Sequence, residues 1–334
     1  MKITQLYDAL LLDLDGTVWT GDTAIPNAVR AVTQAKKAGV AAAYITNNAS
    51  RPPAKVAAKL TGMGLASEPA DVLTSAQAAV QLATKHASEG DPILVVGAPS
   101  FADLVREAGF VPVTSADEHP AVVLHGHSPD NGWRQLSEAA LAIAQGATYI
   151  ASNLDTTLPM DRGLMVGNGS MVAAVTSATG VVPQAAGKPE PAMFDLAKEN
   201  LGSARPLAVG DRLDTDIAGG VAAQMDALHV LTGVSGPLAL IAAPSTQRPT
   251  LIAEDLSVLI DDVDVDDLRP APQGGFTARR DGDEIVLDGG DTGATPLQAL
   301  RTALFVAWAD EKDNASVVVT PASDAARAAT QAWW

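Results

Sequence analysis

Two aspartates, Asp13 and Asp15, stand two positions apart at the end of the apolar run Leu10-Leu11-Leu12, and Gly16 and Thr17 follow at once. A run of consecutive apolar residues reads as a strand buried on both faces. Side chains at i and i+2 of an extended segment point the same way, so the two acids share one small space where the strand ends. Gly16 gives the backbone the freedom to turn away there. Crowded carboxylates repel unless a cation lies between them or one keeps a proton. Either remedy is chemistry, as a metal site or as a general acid. The bland alternative is a strand closed by an Asx-type turn, and residues 10–17 alone do not choose between the two.

Three further strand ends bear reactive residue types. Residues 40–45 read as a strand ending in Thr46-Asn47-Asn48, small hydroxyl and amide groups at the edge where open α/β sheets bind ligands. The same loop also serves as a cap for the helix after Pro52-Pro53. Lys188 lies in Gly187-Lys188-Pro189, ahead of a proline able to begin a helix, and by itself reads as a surface lysine in a turn. Leu207-Ala208-Val209 is an apolar strand that delivers Gly210-Asp211, with Asp214 and Asp216 just beyond. Weaker candidates have plainer readings. His125-Gly126-His127 lacks a nearby carboxylate to complete a ligand set. Gly167-Asn168-Gly169-Ser170 lacks the third glycine of a dinucleotide fingerprint and reads as a turn and helix cap. The acidic run from Asp261 to Asp267 has Asp266 and Pro272 where an EF-hand needs glycine and glutamate, so it reads as a solvated linker.

These residues need a scaffold, and strand–helix alternation supplies one. Strands at 10–12, 40–45, 207–209 and 227–231 alternate with helical patterns. A second alternation restarts at Asp91, with strands at 93–96, 121–124 and 149–151 and helices at 101–108 and 133–145. Beyond Pro270-Ala271-Pro272 the pattern changes to a hairpin at 276–280 and 285–287. A helical face of Leu297, Leu300, Leu304, Phe305 and Trp308 comes next, then a strand at 317–319 and a last helix at 322–332. Trp333 and Trp334 read as packing anchors, since exposed paired indoles invite aggregation.

A chain of 334 residues holds two domains and a small third. With 47% apolar but only 4% aromatic residues, its cores are built from Ala, Val and Leu. The net charge of −17 disfavours nucleic acid and anionic membranes as partners, and an anionic substrate would need local positive charge. The chain has no cysteine, which excludes disulfides and thiolate chemistry and fits a cytoplasmic protein. Met1-Lys2-Ile3-Thr4-Gln5 offers no apolar stretch for a secretory signal. No run of about 18 apolar residues suggests a membrane span.

In this order, Asp13-Leu14-Asp15-Gly16-Thr17, Thr46, Lys188, and Gly210-Asp211 with Asp216 resemble the four motifs of the haloacid dehalogenase (HAD) superfamily of phosphohydrolases. The resemblance covers about residues 7–260. Only 33 positions separate Asp13 from Thr46, whereas 142 separate Thr46 from Lys188, so the second α/β block is inserted between the second and third motifs. That layout is similar to the NagD-like branch with a C2-type cap, as are Thr46-Asn47-Asn48, Asn153-x-Asp155 and Gly187-Lys188-Pro189. The resemblance implies an α/β protein whose Rossmann-like parallel-sheet core spans 1–87 and 184–262. An inserted α/β C2-type cap would span 88–183, a linker 263–272, and a small α/β domain 273–334.

The resemblance also implies Mg²⁺-dependent hydrolysis of a phosphomonoester. Asp13 would be the nucleophile that forms an aspartyl phosphate, and Asp15 the general acid and then base. Mg²⁺ would be held by the carboxylates of Asp13 and Asp211 and the main-chain carbonyl of Asp15, with Asp216 orienting its waters. Thr46 and the amides around Asn47 and Asn48 would bind phosphoryl oxygens, and Lys188 would offset charge. A closing cap implies a small phosphorylated metabolite. The core with its short tail resembles a group of glycerol-3-phosphate phosphatases whose tail is similar to an acetyltransferase fragment, so glycerol 3-phosphate leads. Phosphoglycolate, pyridoxal phosphate and sugar phosphates stay open, as does a homo-oligomer. The tail lacks a coenzyme A pyrophosphate loop and is expected to be structural or dimer-forming. A non-catalytic phosphate-ligand sensor is the alternative of another class, and the intact acid and lysine set argues against it.

Overall fold

Ala9–Leu12 is a strand with every side chain fully buried. Such a segment is satisfied only inside a parallel sheet covered on both faces. Parallel neighbours flank it, Pro206–Gly210 on one side and Ala41–Thr46 on the other. Beyond Pro206–Gly210 lie Asp226–Val230 and then Leu251–Ala253, also parallel. The strands expected from the sequence are present, displaced at their ends by one or two residues. Ala28–Lys37 is a helix that buries Ala28, Ala31, Val32 and Ala35, a single stripe at helical spacing.

The computed structural model describes residues 1–160, 162–309 and 316–333. The chain forms two units: Met1–Tyr44 with Met63–Leu65 and Lys198–Trp334, and Ile45–Gly62 with Ala66–Ala197. The second unit holds its own parallel sheet, in the order Gln184–Ala185, Thr148–Ala151, Val122–His125, Pro92–Val96, Val111–Val113. One face packs Leu94, Val96, Val123 and Tyr149 against Ala139, Ile143, Val172 and Val175 of the helices Trp133–Ala144 and Asn168–Thr179. An antiparallel pair, Thr157–Met160 with Gly163–Val166, was not expected. Pro159 in its first strand weakens any strand pattern read from sequence.

Residues 276–289 form the expected hairpin, Phe276–Asp281 against Glu284–Gly289, and Val318–Pro321 adds a parallel third strand. The helix Pro296–Ala307 buries Leu300 and Leu304 as expected, but Phe305 is half exposed. Its buried arc is filled by Ala299, Ala303 and Ala307 and includes Arg301 and Thr302. Arg301 donates through Nη2 to the Ile252 carbonyl at 2.5 Å, and Trp308 Nε1 donates to the Leu240 carbonyl at 3.2 Å. Trp333 is buried and donates to the Pro296 carbonyl, while Trp334 lies outside the described residues. The aspartates of the 261–267 run are exposed. Val265 within the run and Leu268 just after it are buried, however, and the terminal amine of Met1 pairs with Asp264.

Candidate active site

The first unit assembles an acidic cluster. The amide of Asp13 donates to the Val209 carbonyl at 2.8 Å, which carries the ladder one residue past Leu12 and places Asp13 at the carboxyl edge of the sheet. Asp211 follows the neighbouring strand, and Asp216 lies in the short helical turn Leu213–Ile217. One carboxylate oxygen from each of Asp13, Asp211 and Asp216 lies within 4.8 Å of the others. Among the described residues, no other group of three or more acids and histidines comes together in this way. Asp15 is exposed, and its Oδ1 accepts from the Trp19 indole N–H at 2.8 Å.

Asp211 is fully buried and tightly held. Its Oδ2 accepts from the Val234 amide at 2.7 Å, its Oδ1 from the Thr17 hydroxyl at 3.3 Å, and its carbonyl from the Ser235 amide at 3.1 Å. Gly16 has φ +92°, and a Cβ there would lie 2.5 Å from the Asp211 carboxylate. Glycine is therefore required on both conformational and steric grounds. Gly233 approaches Asp211 from another side just as closely. Asp216 Oδ2 accepts from the Arg212 amide at 3.0 Å, whereas the Arg212 guanidinium turns to Asp214, at 2.8 and 3.1 Å. That partner holds the Asp214 carboxyl below its ordinary range, against the opposing effect of burial. Three hard oxygen donors brought together in this way fit a divalent cation such as Mg²⁺.

The second unit builds a hydrogen-bonded cluster of amides, a carboxylate and a lysine around Asn47. Its Nδ2 donates to both oxygens of Asp155, at 3.2 and 3.3 Å, and to the Lys188 carbonyl at 3.0 Å. Its Oδ1 accepts from the Lys188 amide at 2.9 Å. Its carbonyl accepts from Ser75 Oγ and from Asn153 Nδ2, each at 2.7 Å. Lys188 is only 4% exposed and donates from Nζ to the Ile45 carbonyl at 3.1 Å. The surface-turn reading of this lysine is therefore overturned, because the side chain is buried and the Ile45 carbonyl accepts from the ammonium where a surface lysine would bind water. Thr46 is buried, and its Oγ1 accepts from the Asn48 amide at 3.1 Å. Asn48 Oδ1 accepts from the amide and hydroxyl of Ser50.

Ser75, Asn153 and Asp155 are additions to the residues expected here. The spacing Asn153-x-Asp155 was a visible signal, whereas nothing in the sequence marks Ser75. The Gly167-Asn168-Gly169 stretch is a helix start, as expected, with the Gly169 amide donating to the Asp155 carbonyl. His125 is buried, with Nδ1 2.8 Å from the Tyr149 hydroxyl. Burial pushes its pKa down to about 4.

Known proteins share these features. Residues 10–111 match the haloacid dehalogenase-like hydrolases, residues 185–259 a HAD-hydrolase-like family, and residues 273–333 a GCN5-related N-acetyltransferase like domain. A D-glycerol 3-phosphate phosphatase of Mycobacterium tuberculosis is 39% identical over 339 residues, covering 99% of this chain and 95% of the relative. An acid sugar phosphatase of Staphylococcus aureus is 37% identical over 231 residues, 69% of this chain and 88% of the relative. The crystal structure of a glycerol phosphate phosphatase from M. tuberculosis in complex with magnesium superposes with a TM-score of 0.93 at 39% identity, covering 100% of this chain and 98% of that one. With its Rossmann-like parallel sheet, its inserted α/β unit and its extra C-terminal domain, this chain belongs to the haloacid dehalogenase-like hydrolases.

Proposed function

We propose that this chain is a Mg²⁺-dependent phosphomonoester hydrolase and that glycerol 3-phosphate is its substrate. The observation that carries the chemistry is the convergence of Asp13, Asp211 and Asp216 at the end of the first strand. For the substrate, the support is the reach of the match. The mycobacterial D-glycerol 3-phosphate phosphatase matches nearly the whole chain, whereas the acid sugar phosphatase matches 69% of it.

Asp13 attacks phosphorus in line, and the bond from phosphorus to the ester oxygen breaks with its electrons on that oxygen. Asp15 gives its proton to the departing alkoxide, so glycerol leaves neutral. Asp15, now a carboxylate, takes a proton from water as that water attacks the aspartyl phosphate. This step frees Asp13 and releases inorganic phosphate. Thr46, the amides near Asn47 and Asn48, and Lys188 offer donors and positive charge to the phosphoryl oxygens, where charge is greatest in the transition state. The Lys188 charge also answers how a chain of net charge −17 receives an anion. The carboxylates of Asp13 and Asp211 and the main-chain carbonyl of Asp15 would hold Mg²⁺, with Asp216 orienting its waters. When bound, the ion neutralises phosphoryl charge and lowers the repulsion felt by the attacking carboxylate. The absence of cysteine and the small-metabolite substrate fit a cytoplasmic enzyme.

A phosphate-release screen with Mg²⁺ tests the proposal, run over both enantiomers of glycerol 3-phosphate, phosphoglycolate, pyridoxal phosphate and sugar phosphates. A highest kcat/KM on one glycerol 3-phosphate enantiomer is expected. Preference for a sugar phosphate overturns the substrate assignment. Release from no ester by the intact chain overturns the hydrolase reading in favour of a phosphate-ligand sensor.

A further inference from the structure

His229 is a fully buried imidazole close to the acidic cluster, and the chemistry above gives it no task. It lies on the strand Asp226–Val230 in register with Gly210, the residue before Asp211. Its Nε2 is 2.8 Å from the Ser235 carbonyl. A carbonyl only accepts, so Nε2 bears the proton and donates. Burial keeps the ring neutral, with its pKa pushed down to about 4, so Nδ1 is a bare lone pair. That nitrogen is buried with no hydrogen-bond partner. An apolar residue of similar bulk would avoid the orphaned acceptor, so what needs explaining is the donor on the other side of the ring.

The donor leads to Asp211. Ser235, which receives it, sends its own amide to the Asp211 carbonyl at 3.1 Å, and its hydroxyl accepts from the Leu213 amide at 3.1 Å. Val234 donates to Asp211 Oδ2 at 2.7 Å, and Gly233 packs so close to that carboxylate that a Cβ would overlap it. Residues 233–235 therefore grip Asp211 by main chain and side chain together, and His229 holds the opposite side of the grip.

We propose that His229 is a positioning residue of the metal site, which by donating to the Ser235 carbonyl fixes the 233–235 segment that aims the Asp211 carboxylate. It touches neither metal nor substrate and acts through Ser235 and Val234. The proposal rests on the reading of Asp211 as a Mg²⁺ ligand. Groups bonded to a ligand commonly change metal affinity by about 10–100-fold when lost, and His229, one bond further away, is placed at the low end of that range.

The test is Mg²⁺ binding to the full, substrate-free chain by isothermal titration calorimetry, with metal-free melting followed in parallel. His229→Leu keeps the bulk and removes both the donor and the orphaned acceptor. It should weaken Mg²⁺ binding about tenfold without lowering the metal-free melting temperature to match. The Mg²⁺ concentration giving half-maximal activity should rise in step, with a much smaller change in kcat at saturating Mg²⁺. His229→Gln, whose amide N–H can reach the same carbonyl, should recover most of the affinity. Parental affinity in His229→Leu, or no recovery in His229→Gln, overturns the proposal. Should His229→Leu fail to fold, His229→Phe decides. It also removes the donor while keeping a ring in the same space, and affinity within twofold of the parent overturns the proposal. Asp211→Asn separates the two levels. If it binds Mg²⁺ like the parent, the ligand assignment itself falls. If it loses binding while His229→Leu does not, only the role of His229 falls.

Discussion

The chain contains two parallel sheets with helices between their strands, and their carboxyl edges are finished in opposite ways. In the first unit the space left by Gly16 and Gly233 is taken by the Asp211 carboxylate, and three acids converge there. In the second unit the space left by Gly97 and Gly126 is taken by the ring of Phe101. The polar groups of that edge are turned inward. His125 meets Tyr149, and the Asn168 amide donates to the carbonyls of His125 and Asn153. One edge concentrates like charges that call for a cation. The other is closed by an aromatic ring and neutral hydrogen bonds past Pro92–Val96 and Val122–His125, and carries Asn153, Asp155 and Lys188 only past Thr148–Ala151 and Gln184–Ala185. Similar architecture thus yields an acidic edge or a partly closed one according to the first few residues beyond each strand.

The sharpest way to break that contrast is one substitution at each edge, read in the same phosphate-release assay. Asp13→Asn keeps the shape and removes the proposed nucleophile, and should lower kcat on the order of 10⁴-fold or more. His125→Leu removes the strand-end histidine of the other sheet and should leave kcat/KM within about twofold of the parent, since surrounding neutral contacts are not catalytic. A mutant at Asp13 that still releases phosphate at the parental rate, or a dead mutant at His125, would reverse the assignment of the two edges.

Next in size is Lys188→Met, which keeps the aliphatic stem and removes a positive charge of the Asn47 cluster that suits an anion. Loss of one preorganised transition-state donor costs about 10²–10³-fold, and steady-state kinetics with a melting control should show that loss in kcat/KM. This lysine also marks the limit of what was legible in the sequence. Asp13, Asp15, Asp211 and Gly16 could be read because strand, acids and turn are adjacent in the chain. The burial of Lys188 could not, because Ile45 and Asn47, more than 140 residues away, create it. His229 and Ser235 were invisible for the same reason. Phe305 was misplaced for another. The Pro296–Ala307 helix fills its buried arc with Ala299, Ala303 and Ala307 alongside Leu300 and Leu304, so ranking residues by size picked a wrong neighbour of Leu304.

The two units should also share a response to acid, one buried histidine apiece. His125 and His229 have folded-state pKa values of about 4, each lowered first by burial, against about 6.5 when unfolded. Between those values the unfolded chain binds more protons, so stability is fully present above about pH 6.5 and is lost as pH falls toward 4. By pH 4.5 each histidine should cost roughly 2–3 kcal/mol, measured as the fall in urea-unfolding free energy from pH 7. His125→Leu should remove one share of that fall and leave the other. An acid response identical to that of the parent would show that the His125 imidazole is not held neutral by its surroundings.

The smallest expected effect separates positioning from charge inside the Asn47 cluster. Both carboxylate oxygens of Asp155 accept from Asn47 Nδ2, and the other end of that amide receives the Lys188 amide. If Asp155 serves to hold Asn47 in this orientation, Asp155→Asn, with one acceptor oxygen kept, should lower kcat/KM only about tenfold, in the range found for supporting groups around a site. Asp155→Ala should go further, because Asn47 Nδ2 then loses its carboxylate partner within a partly buried network. The ranking Asn milder than Ala follows from hydrogen bonding. If the negative charge were what mattered, both substitutions would remove it and fall equally, and equal rates for the two variants would end the positioning account while leaving Lys188 in its role.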